Sequence, residues 1–266
     1  MSPARPVRTE RDRRRRELSQ NYLRSPAAAA QFLRAVDPDP AGLCLEVGAG
    51  EGILTEPLAA MFGELVAYEV DPALAGRLTA RAGDHANVSV VIGDFLAARP
   101  PQQPFQVAGN APFSLTSPIV DWCLDARTMT SATLITQLEY AKKRTGAYGR
   151  WSLLTVSTWP QVHWDLHGTI ARTQFRPVPK VDAGILHLAR RPRPLIPASR
   201  LSAYQRMVRL GFSGVGGSLL ASLRREYPAA RLAAAFQAAG IERDAIVAFV
   251  SPAQWVQLFN ILDQAA

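Results

Sequence analysis

Cysteine is nearly absent: there are two in 266 residues, Cys44 in an apolar strand-like run and Cys123 in a helix-like one. With no Cys-x-x-Cys pair and no His-x-Glu signature, a deaminase-type zinc site is not expected, nor any structural metal. Both thiols read as buried apolar residues. Histidine is also sparse. His85, His163, His167 and His187 are scattered, and none accompanies a Gly-x-Ser-x-Gly turn, so covalent catalysis by an activated nucleophile is not expected. No apolar run approaches the roughly 18 residues of a membrane helix. The arginine-rich start has no apolar segment behind it, which argues against a secretory signal, and Glu10, Asp12 and Glu17 argue against a mitochondrial presequence. A cytoplasmic protein is expected. Lysine is almost missing, while arginine and alanine abound as in a GC-rich coding sequence. Acidic residues are in deficit, 22 against 30 basic ones, for a net charge of +8 that favours a polyanionic partner.

The basic charge is unevenly spread. Arg5, Arg8, Arg11, Arg13, Arg14, Arg15 and Arg16 crowd the first 17 residues, which read as a basic, disordered arm. Arg172, Arg176, Lys180, Arg190, Arg191 and Arg193 form a second group, and Lys142, Lys143, Arg144 and Arg150 a third. Solvated surface is the competing explanation for each. After an apolar strand at residues 184–188, the proline-rich stretch 191–200 suits neither helix nor central strand and reads as a linker. Residues 201–266 have helical spacing of Leu, Ala, Val and Phe, interrupted at Gly211, at the turn 213–217, and at Pro228, Gly240 and Pro252. The expected organisation is an arm (1–17), an α/β domain (18–190), a linker (191–200) and a small all-helical domain (201–266).

Within 18–190 the run Leu43-Cys44-Leu45-Glu46-Val47 precedes Gly48-Ala49-Gly50-Glu51-Gly52 and a helix-like stretch, the pattern of strand, glycine turn and helix. Ile53 replaces the last glycine of the dinucleotide fingerprint, so the turn suits S-adenosylmethionine better than NAD. The next strand ends at Glu69-Val70-Asp71, where Glu69 is placed to accept ribose hydroxyls. A third ends at Gly93-Asp94-Phe95, where Asp94 could accept from the cofactor's adenine amine; a plain turn is the competing reading. A fourth, residues 105–109, delivers Asn110-Ala111-Pro112-Phe113. Four strands ending in polar or glycine clusters match the rule that open α/β sheets bind ligands beyond their carboxyl ends.

Asn110-Ala111-Pro112-Phe113 suggests methylation of an exocyclic amine, although Asn-x-Pro also occurs in ordinary turns. Adenine N6 is a poor nucleophile because its lone pair is delocalised into the ring. The Asn110 side-chain oxygen and Ala111 carbonyl could each accept one N6 hydrogen, Pro112 stiffens the turn, and Phe113 offers a stacking face. The expected reaction is direct displacement at a sulfonium methyl group by a flipped or unpaired adenine.

Together with Ser19-Gln20-Asn21-Tyr22-Leu23, Gln137-Leu138-Glu139-Tyr140-Ala141 and Phe175-Arg176-Pro177-Val178-Pro179-Lys180-Val181, these motifs make residues 15–190 resemble the Erm (erythromycin-resistance) 23S ribosomal RNA adenine-N6 methyltransferases. The resemblance implies a Rossmann-like S-adenosylmethionine-dependent methyltransferase sheet with a small all-helical C-terminal domain, acting on an adenine of the 23S rRNA peptidyl-transferase loop and conferring macrolide, lincosamide and streptogramin B resistance. It implies that Gln20, Asn21 and Leu23 line the cofactor site, Gly48 and Gly50 abut the cofactor, Glu69 with Val70 holds the ribose, and Asp94 and Phe95 meet the adenine. Asn110 and Phe113 would grip the target base, with Phe175 on its other side. Arg172, Arg176, Lys180, Arg13, Arg14, Arg15 and Arg16 would face RNA. Ala111 departs from the family, which usually has a larger aliphatic residue there; the role belongs to the backbone carbonyl. Two alternatives stay open: a small-subunit 16S rRNA dimethyladenosine transferase, and a non-catalytic nucleic-acid-binding relative. A monomer is expected.

Overall fold

The computed structural model describes residues 21–83, 85–214 and 216–264. Gln20, Arg13, Arg14, Arg15, Arg16 and the rest of the arm lie outside the described residues. The chain divides into two compact units, Met1–Leu138 with His167–His187, and Glu139–Leu166 with Leu188–Ala266.

The first unit begins with β1 (Tyr22–Leu23) and α1 (Pro26–Leu33). The Ser25 hydroxyl caps α1 by accepting from Ala28 N at 3.2 Å, and Pro26 sits in the first turn, where a missing N–H costs no hydrogen bond. Then come β2 (Asp39–Val47), α2 (Thr55–Ala59), β3 (Phe62–Glu69), α3 (Pro72–Ala82), β4 (Val88–Ile92), β5 (Phe105–Asn110), α4 (Thr116–Asp125) and β6 (Met129–Gln137). Asp71 and Pro72 repeat the capping device at α3, whose Leu74, Ala75, Leu78 and Ala82 form one buried stripe. With β7 (Val162–Ile170) and β9 (Ala183–Arg190), the sheet has the order β4-β3-β2-β5-β6-β9-β7, while β8 (Phe175–Arg176) pairs antiparallel with β1. The β2–β3, β3–β4, β2–β5 and β5–β6 pairings are parallel. Residues 43–47 of β2 are all buried, as expected of a central parallel strand covered on both faces.

The chain winds outward from β2 through β3 to β4, then returns to start β5 on the other side of β2. This is the switch point where open sheets leave a crevice. Register there pairs Val47 with Gly109, so Gly48 and Asn110 emerge side by side. Gly109 is obligatory: its φ is +147°, and a Cβ would lie 2.3 Å from the Val47 carbonyl oxygen.

The second unit holds α6 (Leu153–Thr158), α7 (Ala198–Gly211), α8 (Leu219–Leu223), α9 (Ala229–Ala238) and α10 (Pro252–Gln264), and nearly all of α5 (Leu138–Thr145). Helices break at Gly211, before Gly240 and at Pro228 and Pro252, where the sequence pattern is interrupted. The core is built on Tyr204, Phe236 and Trp255, and Tyr204 donates its hydroxyl to the Val156 carbonyl at 2.8 Å. The division differs from the expected one. Val156 of α6 is fully buried in this core, and so is Ile196 from the proline-rich stretch. Arg191 N and Leu195 N each donate at 2.8 Å, to the Gln161 and Pro160 carbonyls. Prolines excluded helix from 191–197 but did not prevent that segment from packing. Cys44 and Cys123 are both buried, as expected. Among the described residues, no helix is long and apolar enough to cross a membrane.

Candidate active site

The ends of β2, β3 and β4 are tied together by backbone hydrogen bonds. Gly48 N and Ala49 N both donate to the Tyr68 carbonyl at 3.0 Å, and Gly93 N donates to the Glu69 carbonyl at 3.0 Å. Glu69 is 2% exposed, its Oε2 accepting from Gly50 N at 2.8 Å and its Oε1 from Asp71 N at 2.9 Å. Burial pushes its carboxyl above the usual range, against the pull of those N–H donors. Asp94 is exposed and caps its own turn, accepting from Leu96 N at 2.9 Å. Phe95 is buried, edge-on to Tyr68 at 5.5 Å and tilted against Trp122 at 4.5 Å. Between these ends lies a cavity of about 230 Å³, lined by Gly48, Tyr68, Glu69, Val70, Gly93, Asp94, Phe95 and Leu96 on one side and by Pro112, Ser114, Leu115 and Ile119 on the other.

Asn110 stands at the end of β5. Its Nδ2 donates to the Asn21 carbonyl at 2.7 Å, which fixes the amide and leaves Oδ1 as the free acceptor. That Oδ1 is buried and has no hydrogen-bond partner among the described residues. Such an atom is costly unless a ligand supplies the donor. Phe113 is half-buried and opens a short 3-10 turn, with Leu115 N donating to the Pro112 carbonyl at 2.8 Å. A smaller cavity, about 20 Å³, is bounded by Asn21, Tyr22 and residues 110–113, and it shares Gly48, Glu69 and Pro112 with the larger one. Gly48 has a φ of +67°, and a Cβ there would come within 3.1 Å of the Asn110 carbonyl oxygen.

The structure therefore brings together Asn21, Gly48, Glu69, Val70, Asp94, Phe95, Asn110, Ala111, Pro112 and Phe113. Gly50 lines neither cavity; it holds Glu69. Leu23 lines neither as well. It is 5% exposed, belongs to the core, and pairs with Phe175 between β1 and β8. Phe175 is 2% exposed, and its ring meets Phe113 at 6.4 Å in a T-shaped contact, so it buttresses Phe113 rather than offering a face of its own. Arg172, Arg176 and Lys180 are exposed. Tyr22, Tyr68, Leu96, Ser114, Leu115 and Ile119 were not singled out from sequence. Leu115 and Ile119 could have been, since they follow the tetrapeptide at a four-residue spacing, Leu115 immediately before α4 and Ile119 in its first turn.

The family described as ribosomal RNA adenine dimethylase matches residues 11–264. The chain belongs to this family. The resemblance drawn from the motifs is thus borne out, and so is the methyltransferase sheet with helices at the carboxyl-terminal end. Within the family the relatives differ in distance. An rRNA adenine N-6-methyltransferase of Streptomyces fradiae is 59% identical, over 94% of this chain and 79% of its own. A ribosomal RNA small subunit methyltransferase A of Nostoc punctiforme is 30% identical, over 96% of both. The crystal structure of the 23S rRNA methyltransferase ErmE superposes with a TM-score of 0.89 at 48% identity, covering 92% of this chain and 100% of that one.

Proposed function

We propose that this chain is an S-adenosylmethionine-dependent methyltransferase that modifies N6 of one adenine in the peptidyl-transferase loop of 23S rRNA, in the cytoplasm, and thereby confers resistance to macrolide, lincosamide and streptogramin B antibiotics. The observation that carries the reading is the Asn110 side chain: its nitrogen is committed to Asn21, and its buried oxygen has no donor among the described residues. An amine bearing two hydrogens, one for Oδ1 and one for the Ala111 carbonyl, fits that need. The residues present also fit the cofactor: the larger cavity has a buried carboxylate, Glu69, on its wall and a glycine, Gly48, where a side chain would crowd the Asn110 loop. Glu69 would hold the ribose, Asp94 and Phe95 the adenine end, and Gly48 and Asn21 the methionine end. When bound, S-adenosylmethionine supplies an electrophilic methyl group on an already activated leaving group.

The chain's own part is positioning. Asn110 and the Ala111 carbonyl would draw both N6 hydrogens to one side and so expose the lone pair, while Phe113 stacks on the ring, worth about 1–3 kcal/mol per base, and offsets part of the cost of extruding it. None of these groups is a base, so the displaced proton leaves to solvent. The 48% identity to the 23S rRNA methyltransferase ErmE, against 30% to the small-subunit enzyme, favours 23S over 16S rRNA. The test is methylation of separate protein-free 23S and 16S transcripts, followed by mass mapping of methyladenosine. One modified adenine in the 23S peptidyl-transferase loop supports the reading and counts the methyl groups. Modification confined to 16S, or none at all, sinks it.

A further inference from the structure

The second unit contains a cavity of about 680 Å³ that shares no residue with the site above. Glu139 and Lys143 of α5 line it together with Tyr148, Arg150 and Trp151 of the connection to α6, and Ala248. Its frame is fixed before any ligand arrives. Trp151 N donates to the Ala248 carbonyl at 2.7 Å, Arg144 donates to Ser152 Oγ at 3.0 Å, and the Thr155 hydroxyl donates to the Arg144 carbonyl at 2.9 Å. Gly146, at φ +70°, passes so close to the Trp151 ring that a Cβ would lie 2.6 Å from it, and Trp159 meets the same ring edge-on at 5.6 Å. The indole is thus held in one orientation.

The rim is aromatic, exposed and cationic. Tyr148 is 47% exposed with Lys142 Nζ 5.4 Å from its ring centre, and Phe249 is 51% exposed with the Arg150 guanidinium at 5.2 Å. Among the described residues, no carboxylate lies within ion-pair distance of Lys143 or Arg150. Glu139, which accepts from the Tyr148 hydroxyl, is an acceptor suited to a base amine. Preformed rings beside unpaired cations match the stacking and charge demands of a single-stranded nucleotide. An apolar protein segment would strip water from those cations without pairing them.

We propose that this cavity is a second nucleotide site, which takes an unstacked base of the substrate RNA against Trp151 and Tyr148 with neighbouring phosphates on Lys143 and Arg150. The proposal rests on the RNA-methylation reading for its substrate. Its test measures binding of a protein-free 23S rRNA transcript, a single-stranded RNA oligonucleotide and S-adenosylmethionine to the full chain and to Tyr148→Ala, Tyr148→Phe and Lys143→Gln. Tyr148→Ala is expected to weaken both RNAs about tenfold at an unchanged salt slope, Tyr148→Phe to bind as the parent does, and Lys143→Gln to flatten the slope by about one phosphate contact, with cofactor affinity unmoved throughout. Parent-like RNA binding by Tyr148→Ala, or equal losses in Tyr148→Ala and Tyr148→Phe, overturns the site. If the parent methylates 23S rRNA while Tyr148→Ala binds as it does, the site fails and the activity stands. If the parent modifies no 23S adenine while Tyr148→Ala alone loses the oligonucleotide, the activity fails and the site stands.

Discussion

The side-chain amide of Asn110 donates to the backbone carbonyl of Asn21 at 2.7 Å, joining segments 89 residues apart. This contact decides which end of the amide faces the site. Asn110→Asp cannot donate to that carbonyl and would set a carboxylate against it, while Asn110→Ala removes the acceptor. Both variants should lose about a hundredfold or more in kcat. Single-turnover methylation of a 23S transcript checks this; an Asp variant within threefold of the parent would show that the tether does not matter.

Phe113 and Phe175 should separate by role. Phe113→Ala removes the half-buried ring at the site and is expected to cut kcat strongly with little effect on cofactor affinity. Phe175→Leu keeps bulk but loses the T-shaped contact, worth about 1 kcal/mol, so kcat should fall only several-fold. Cofactor titration beside turnover distinguishes the two. A large loss of S-adenosylmethionine affinity in Phe113→Ala would contradict its placement.

Gly109→Ala should destabilise the fold by about 2 kcal/mol or more, because the methyl would lie 2.3 Å from the Val47 carbonyl oxygen at a φ of +147°. Urea unfolding reports it, and a change below about 0.5 kcal/mol would mean that β2 and β5 part without cost.

Glu46 gives a pH prediction. It is fully buried on β2, and burial raises its pKa from 4.5 to about 8, opposed by the Thr55 hydroxyl at 2.6 Å and reinforced by the charge of Glu69. A raised carboxyl is more protonated in the folded chain than in the unfolded one. Its contribution is therefore complete below pH 4.5 and is lost as pH climbs through about 8. Glu46→Gln, which can still accept from Thr55, should flatten the stability profile across that window and exceed the parent at alkaline pH by up to a few kcal/mol. Chemical unfolding from pH 4.5 to 9 checks this, and parallel profiles for the two proteins would refute it.

The parts of the candidate site that were legible in the sequence are those whose signals are local. Strand, glycine turn and helix lie within one stretch at residues 43–59. What escaped depends on distant pairing. β1 and β8 are two residues each, too short to show any period, yet their pairing places Tyr22 at the small cavity, Asn21 beside Asn110, and Leu23 and Phe175 in the core. The extent of the second unit was hidden for a related reason. An apolar residue such as Val156 shows that it will be buried, but not against what.

Gly48, Glu69 and Pro112 bound both cavities of the site, so the large and small spaces have a common wall. Thermodynamic linkage makes that wall a two-way channel: whatever factor an occupant of one cavity adds to affinity in the other, it receives back unchanged. A methyl donor that firmed this wall would raise affinity for the acceptor base, and the base would raise affinity for the donor by the same factor.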